Sequence, residues 1–119
     1  MTTHDLVPAI DMEHFNEIFG GRGTSERELL TTVSTGITRQ VSEMATHLRS
    51  DNLSAITDAS HKLKGSARSV GLTPLGDVCE AIELAARACE ADAVSGFQAR
   101  FQVEGDRACL ALSEIQRQL

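Results

Sequence analysis

From Leu30 to Leu48, apolar side chains return every three or four residues, at Leu30, Val33, Ile37, Val41, Met44 and Leu48, with no proline among them. An α-helix turns once per 3.6 residues, so this spacing places all six on one stripe. A strand would need alternation by two, which the segment lacks. A stripe this long must be buried against other helices, and its heptad-like steps predict bundle packing. The rest of the 119-residue chain permits the same solution. It holds two prolines, Pro8 and Pro74, so helices can run almost without interruption. Trp and Tyr are absent and Phe numbers four, so the core is expected to be mostly aliphatic.

Punctuation residues divide the chain. Asp11 is placed to cap a short helix from Met12 to about Phe19, ended by Gly20-Gly21-Arg22-Gly23. Ser25, with Glu28 three residues later, has the capping-box pattern and opens the long helix, which runs to about Arg49. Gly36 interrupts that helix where a neighbour could approach closely. Asp51-Asn52 makes the next turn and caps a helix from Leu53 to Val70, with Gly71 as a left-handed terminator. Thr73 caps the following helix with Pro74 in its first position. There Leu75, Val78, Cys79, Ile82, Ala85, Ala86 and Cys89 form the apolar stripe. Gly76, Glu80, Glu83 and Arg87 lie opposite, Glu83 and Arg87 at ion-pair spacing. Asp92 caps a last helix from Ala93 to about Gln118, with Phe97, Phe101, Ala108, Ala111, Leu112, Ile115 and Leu119 inward. The expectation is an all-α single domain over residues 1–119: an up-down-up-down four-helix bundle. A short additional N-terminal helix lies across one end, and residues 1–9 form a loose arm.

The net charge of −6 argues against nucleic acid or an anionic membrane as partner. No run of about 18 apolar residues exists, so no membrane span is expected. The first residues lack the pattern of a signal segment, which makes a cytoplasmic location the default. Cys79, Cys89 and Cys109 form no CxxC, so neither a zinc site nor a redox pair is indicated, and Cys79 and Cys89 read as buried thiols. His4, His14 and His47 lack partners at ligand spacing, and no bound metal or cofactor is expected.

The helix from Leu53 to Val70 carries the chemistry. Leu53, Ile56, Ser60, Leu63, Ala67 and Val70 fall on one side, and Ser54, Asp58, His61, Gly65 and Arg68 on the other. Lys64 stands at the edge, one turn from His61, and Lys62 points away from the core. Gly65 is the anomaly, since a glycine inside a helix costs about 1 kcal/mol against alanine. On a polar face the simplest reason is that something must approach the backbone beside His61. Neutral imidazole is a good nucleophile near physiological pH, with an unperturbed pKa of about 6.5. Attack on an activated phosphoryl group gives phosphohistidine. Lys64 is placed to offset the new charge, and Arg68 to assist at longer range. No second histidine lies close in sequence as an obvious general base, which suits a phosphoryl carrier better than a hydrolase.

His61-Lys62-Leu63-Lys64-Gly65, followed by Gly71, Leu75, Cys79 and Glu83, resembles the histidine-containing phosphotransfer (HPt) domain in residue type and spacing. Weaker resemblance runs from Ile10-Asp11 to the C-terminus. One departure is Gly20-Gly21-Arg22-Gly23, where many relatives carry Gly-Asp. The resemblance implies a phosphorelay intermediate of two-component signalling, carrying a phosphoryl group on His61 between receiver-domain aspartates. It implies response-regulator receiver domains as partners, those of a hybrid sensor histidine kinase among them, with Mg held by the receiver. By resemblance Glu83 stands where a polar residue orients the histidine ring, and the first helix lies where partners dock. The chain is expected to be a monomeric carrier, not an enzyme with its own ATP-dependent kinase activity. The alternative is a non-catalytic helical adaptor in which His61 is incidental. A metal-binding bundle is disfavoured, because paired Glu-x-x-His motifs are absent.

Overall fold

The computed structural model describes residues 8–20 and 23–118. Among them are six helices and no strand: α1 (Met12–Ile18), α2 (Thr24–Leu48), α3 (Leu53–Ser69), α4 (Thr73–Arg87), α5 (Ala91–Gly96) and α6 (Gln98–Gln118). The expected arm over residues 1–7, the Gly21-Arg22 pair of the first turn and the inward Leu119 lie outside the described residues. The four long helices α2, α3, α4 and α6 make the expected bundle, with α1 as the short additional helix.

The stripes meet in one core. Leu30, Ile37, Val41, Met44 and Leu48 of α2 are buried with Ile56, Leu63 and Ala67 of α3. Leu75, Val78, Cys79 and Ile82 of α4 and Phe101, Ala108 and Leu112 of α6 join them. At Gly105 of α6 an added Cβ would stand 2.9 Å from Val41 Cγ1, so α2 and α6 approach as closely as the missing side chain allows. Gly36, expected to have that role, has open space where a Cβ would project.

Local chemistry sets most boundaries. The Asp11 carboxylate accepts from the N–H groups of Glu13 and His14 and caps α1. Asn52 Oδ1 accepts from Ala55 N–H at 3.0 Å and caps α3. α3 ends in a Schellman motif. Leu72 N–H donates to the Ala67 carbonyl and Gly71 N–H to that of Arg68, with Gly71 at φ +86°. The Gly71 carbonyl then accepts from Asp11 N–H at 2.7 Å, and His14 Nε2–H donates to the Ser69 carbonyl at 3.1 Å. Those two bonds fix α1 across the α3–α4 end, with Phe15 and Phe19 buried beneath it.

Four boundaries differ from expectation. The capping box at Ser25 does not form, because Arg27 N–H bonds the Gly23 carbonyl and Gly23 is the N-cap, one turn position too early for Ser25. Thr73 is the first residue of α4 rather than its cap, which is Leu72. Cys89 leaves the stripe. It is exposed at φ +58° in a second Schellman turn, where Glu90 N–H bonds the Ala85 carbonyl and Cys89 N–H that of Ala86. The last helix begins at Ala91, with Asp92 inside its first turn, and breaks at Phe97. There Phe97 N–H bonds the Val94 carbonyl in a tightened turn after the weak helix formers Ser95 and Gly96.

Candidate functional site

The tight turn at Gly71 folds α4 back along α3, so their facing rows interlock. On α4 the row facing α3 is Leu75, Cys79 and Glu83, each four residues from the last, and all are buried. Glu83 was expected on the outer face with Gly76, and both are buried instead. The wheel reads its polarity as outward, whereas its register continues the buried row. Ser60 is the other polar residue in this layer, and its hydroxyl is satisfied by the Ile56 carbonyl at 2.7 Å.

Glu83 is the centre of the site. Its side chain is 6% exposed, and both oxygens carry cationic or N–H partners. Oε2 accepts from His61 Nδ1 at 2.9 Å and from Arg87 Nη2 at 2.8 Å and Nε at 3.1 Å. Oε1 forms an ion pair with Lys64 Nζ at 2.7 Å. Burial alone would raise the carboxyl pKa, but the bonds from Lys64, Arg87 and His61 outweigh it and bring it from 4.5 down to about 2. The group is therefore an anion across the physiological range. Below the same seam lies Cys79, whose thiol burial pushes up to about 12, so it contributes no charge.

His61 stands over this carboxylate with its side chain 64% exposed. A carboxylate only accepts, so Nδ1 carries the bonded proton, and in the neutral ring the lone pair is on Nε2. Gly65, one turn on, has nothing within 4 Å of where a Cβ would stand, so the surface beside the ring is low. Lys64 is 21% exposed and turned inward to Glu83. Arg68 is brought elsewhere. It lies over Gly76, where a Cβ would meet its Cγ at 2.8 Å, and bonds Asp77 at 3.3 Å and Glu80 at 3.1 Å.

The sequence-expected residues thus fall into two groups: His61, Lys64 and Glu83 share one cluster, with Gly65 beside it, and Arg68 belongs to another. Arg87 joins the first cluster, and no role beyond an ion pair was read for it. Its signal was present, since it continues the row Leu75, Cys79, Glu83 by four more residues. Around the site, Phe15 and Met44 are core residues, while Met12 is exposed. Among the described residues no group of three or more His, Cys, Asp or Glu side chains could hold a metal ion, and no helix is long and apolar enough to cross a membrane.

Comparison with known proteins bears on this geometry. No curated protein matches the chain. Two solved structures share the fold. Histidine-containing phosphotransfer protein B from Pseudomonas aeruginosa PAO1 superposes with a TM-score of 0.82 at 16% identity, covering 95% of this chain and 98% of that one. A rice protein described as a histidine-containing phosphotransfer protein superposes with a TM-score of 0.69 at 20% identity, covering 92% of this chain and 83% of that one. The family model of the Hpt domain matches residues 28–118, which include all of α3, α4 and the cluster around Glu83. The chain therefore belongs to the Hpt domain family, whose members relay phosphoryl groups in two-component signalling.

Proposed function

We propose that His61 is the phosphoryl carrier of this phosphorelay protein and that Nε2 is the atom that carries it. The observation that supports this best is the pairing of an exposed imidazole with a buried anion at Nδ1. Hpt domains exchange phosphate with response-regulator receiver domains. In that exchange the Nε2 lone pair attacks the phosphorus of an aspartyl phosphate. The N–P bond forms as the bond to the aspartate oxygen breaks, and the aspartate leaves as a carboxylate. The Nδ1 proton stays where it is, bonded to Glu83, so the positive ring of the product faces an anion. The reverse step returns the group to a receiver by the same path.

Lys64 offsets charge on the moving phosphoryl group, and Glu83 fixes the tautomer. Gly65 leaves the approach clear for the receiver's loops. Arg68 adds positive charge at longer range. Magnesium belongs to the receiver, and this chain supplies neither a cofactor nor ATP-dependent phosphorylation.

Incubation with a phosphorylated receiver is the test. Acid-labile label should appear on the wild-type chain and be absent from His61→Gln, whose melting temperature should be nearly unchanged because the ring is exposed. Label retained by His61→Gln would refute the assignment, and no label on either chain would favour the adaptor reading.

A further inference from the structure

Arg87 is the member of the cluster to which the transfer step gives no part. It stands one turn after Glu83 on α4, and its guanidinium donates twice to Oε2, at 3.1 and 2.8 Å. That is the same oxygen that accepts the His61 Nδ1–H. Lys64 takes the other oxygen. One carboxylate thus has two full cations in contact before the imidazole is counted.

A carboxylate alone in this position would work against the reaction. An anion bonded at Nδ1–H favours the doubly protonated ring. That ring has no lone pair at Nε2 and cannot attack phosphorus. Burial would sharpen the effect, because charges interact more strongly away from water. The two cations leave the hydrogen bond in place while reversing the charge. Lys64, Arg87 and Glu83 together carry one positive charge in excess. Two further carboxylates stand near this cluster: Asp58, which lines a surface pocket together with Arg87, and Glu80, which also feels Lys64. From α3 the Glu83 carboxylate meets only His61 and Lys64. On α4, Glu80 is held by Arg68, and Cys79 is uncharged.

We infer that Arg87 is a positioning residue for phosphotransfer: by sharing Oε2 with His61 it orients Glu83 and offsets its charge, so that the imidazole meets the phosphoryl donor neutral, with Nε2 unprotonated. The inference rests on His61 being the phosphoryl acceptor. It differs from a role as phosphate ligand, which would act on the phosphoryl group itself whatever the protonation of the ring.

The test is an NMR titration of the His61 ring in the full, unphosphorylated chain. Arg87→Gln should move its midpoint upward by about half to one pH unit, since Arg87 is 56% exposed and water screens part of its field. Arg87→Lys should restore at least half of the difference. With phosphoramidate as donor, Arg87→Gln should then accept phosphate about three- to tenfold more slowly near pH 6 and at an unchanged rate near pH 8.5. A midpoint that stays or falls in a folded Arg87→Gln chain overturns the inference. So does a rate that falls equally at both pH values, because that pattern belongs to a phosphate ligand or a structural clamp. The midpoint is read without any phosphodonor, so its outcome is separate from whether His61 takes the label. A chain labelled on His61 whose midpoint ignores Arg87 keeps its function and loses this role for the arginine.

Discussion

Two ion clusters lie along the seam between α3 and α4, and they are built inside out from one another. Around Glu83 a buried anion sits at the centre, with Lys64, Arg87 and His61 reaching outward from it. Around Arg68 an exposed cation sits at the centre, with the exposed carboxylates of Asp77 and Glu80 beside it. The first carries one positive charge in excess and the second one negative. In a chain of net charge −6, the histidine thus stands in a locally cationic spot. The difference also separates two roles that the same residue types can have. A buried carboxylate can fix a ring in one orientation, because its own geometry is fixed by packing. An exposed pair trades each contact with water and fixes little.

Removing the two centres should break the comparison most sharply. Glu83→Ala should slow acceptance from phosphoramidate about a hundredfold, since the ring loses both orientation and tautomer. It should also destabilise the fold. The whole shift of the Glu83 pKa, from 4.5 to about 2, corresponds to about 3 kcal/mol. Two of its three partners are more than half exposed, so screening reduces the expected value to about 1–2 kcal/mol. The folded-state pKa is the lower one, so this stability is present above pH 4.5 and lost as pH falls towards 2. Denaturant melts at several pH values should show that loss in the wild type and not in Glu83→Ala. Equal acid sensitivity of the two chains would remove the special place of the Glu83 cluster.

Lys64→Ala tests the cations of the same cluster. Transfer to and from a receiver should slow about tenfold, and the helix content should not change. Gly65→Gln tests the ground between the clusters, since Gly65 lies one turn from His61 and less than one from Arg68. No atom stands within 4 Å of its Cβ direction, so the fold should accept the side chain. Transfer from a receiver should fall severalfold while acceptance from phosphoramidate persists, because only the larger donor must settle on this surface. If both rates fell together, the glycine would serve the chemistry or the fold instead of access.

How far the sequence reached follows from what each signal measures. Periodicity reports faces, and it placed the stripes of α2, α3 and α4 because their apolar residues repeat over many turns. It misplaced Glu83, since a wheel sorts by polarity and a buried carboxylate has the wrong sign for its row. The clue lay in register, as Leu75, Cys79, Glu83 and Arg87 form one row at steps of four. Cys89 was misplaced for a different reason. An apolar residue at stripe spacing reads as buried, but the left-handed turn at φ +58° rotates it out, and that conformation is usually left to glycine. The break at Phe97 left a faint trace in Ser95-Gly96, too weak to divide a helix on its own. His61, Lys64 and Gly65 were legible because local spacing alone puts them together. Of their partners on α4, Glu83 was indicated by the family resemblance alone and Arg87 only as an ion pair with Glu83, since the contact with His61 depends on how two helices pack.

Arg68 should give the smallest effect of all. Its guanidinium bonds Asp77 and Glu80, and those bonds, Glu80 first, hold its pKa above the usual value. The residue is nonetheless well exposed, so the raised value reports a local pairing in water rather than a large contribution to folding. In Arg68→Gln the two carboxylates return to solvent, and no buried charge is left unpaired. The melting temperature should shift by no more than the scatter of the measurement. The stem over Gly76 is the part whose loss matters, and glutamine keeps most of it. Transfer from a phosphoreceiver should slow less than twofold, because the lost charge lies beyond the Gly65 turn and solvent lies between. The matching measurement is the receiver-transfer assay used for Lys64→Ala, run at low and at moderate salt. A salt-dependent loss in Arg68→Gln approaching that of Lys64→Ala would show that the outer cluster also faces the phosphoryl group, and the division between the two clusters would then be wrong.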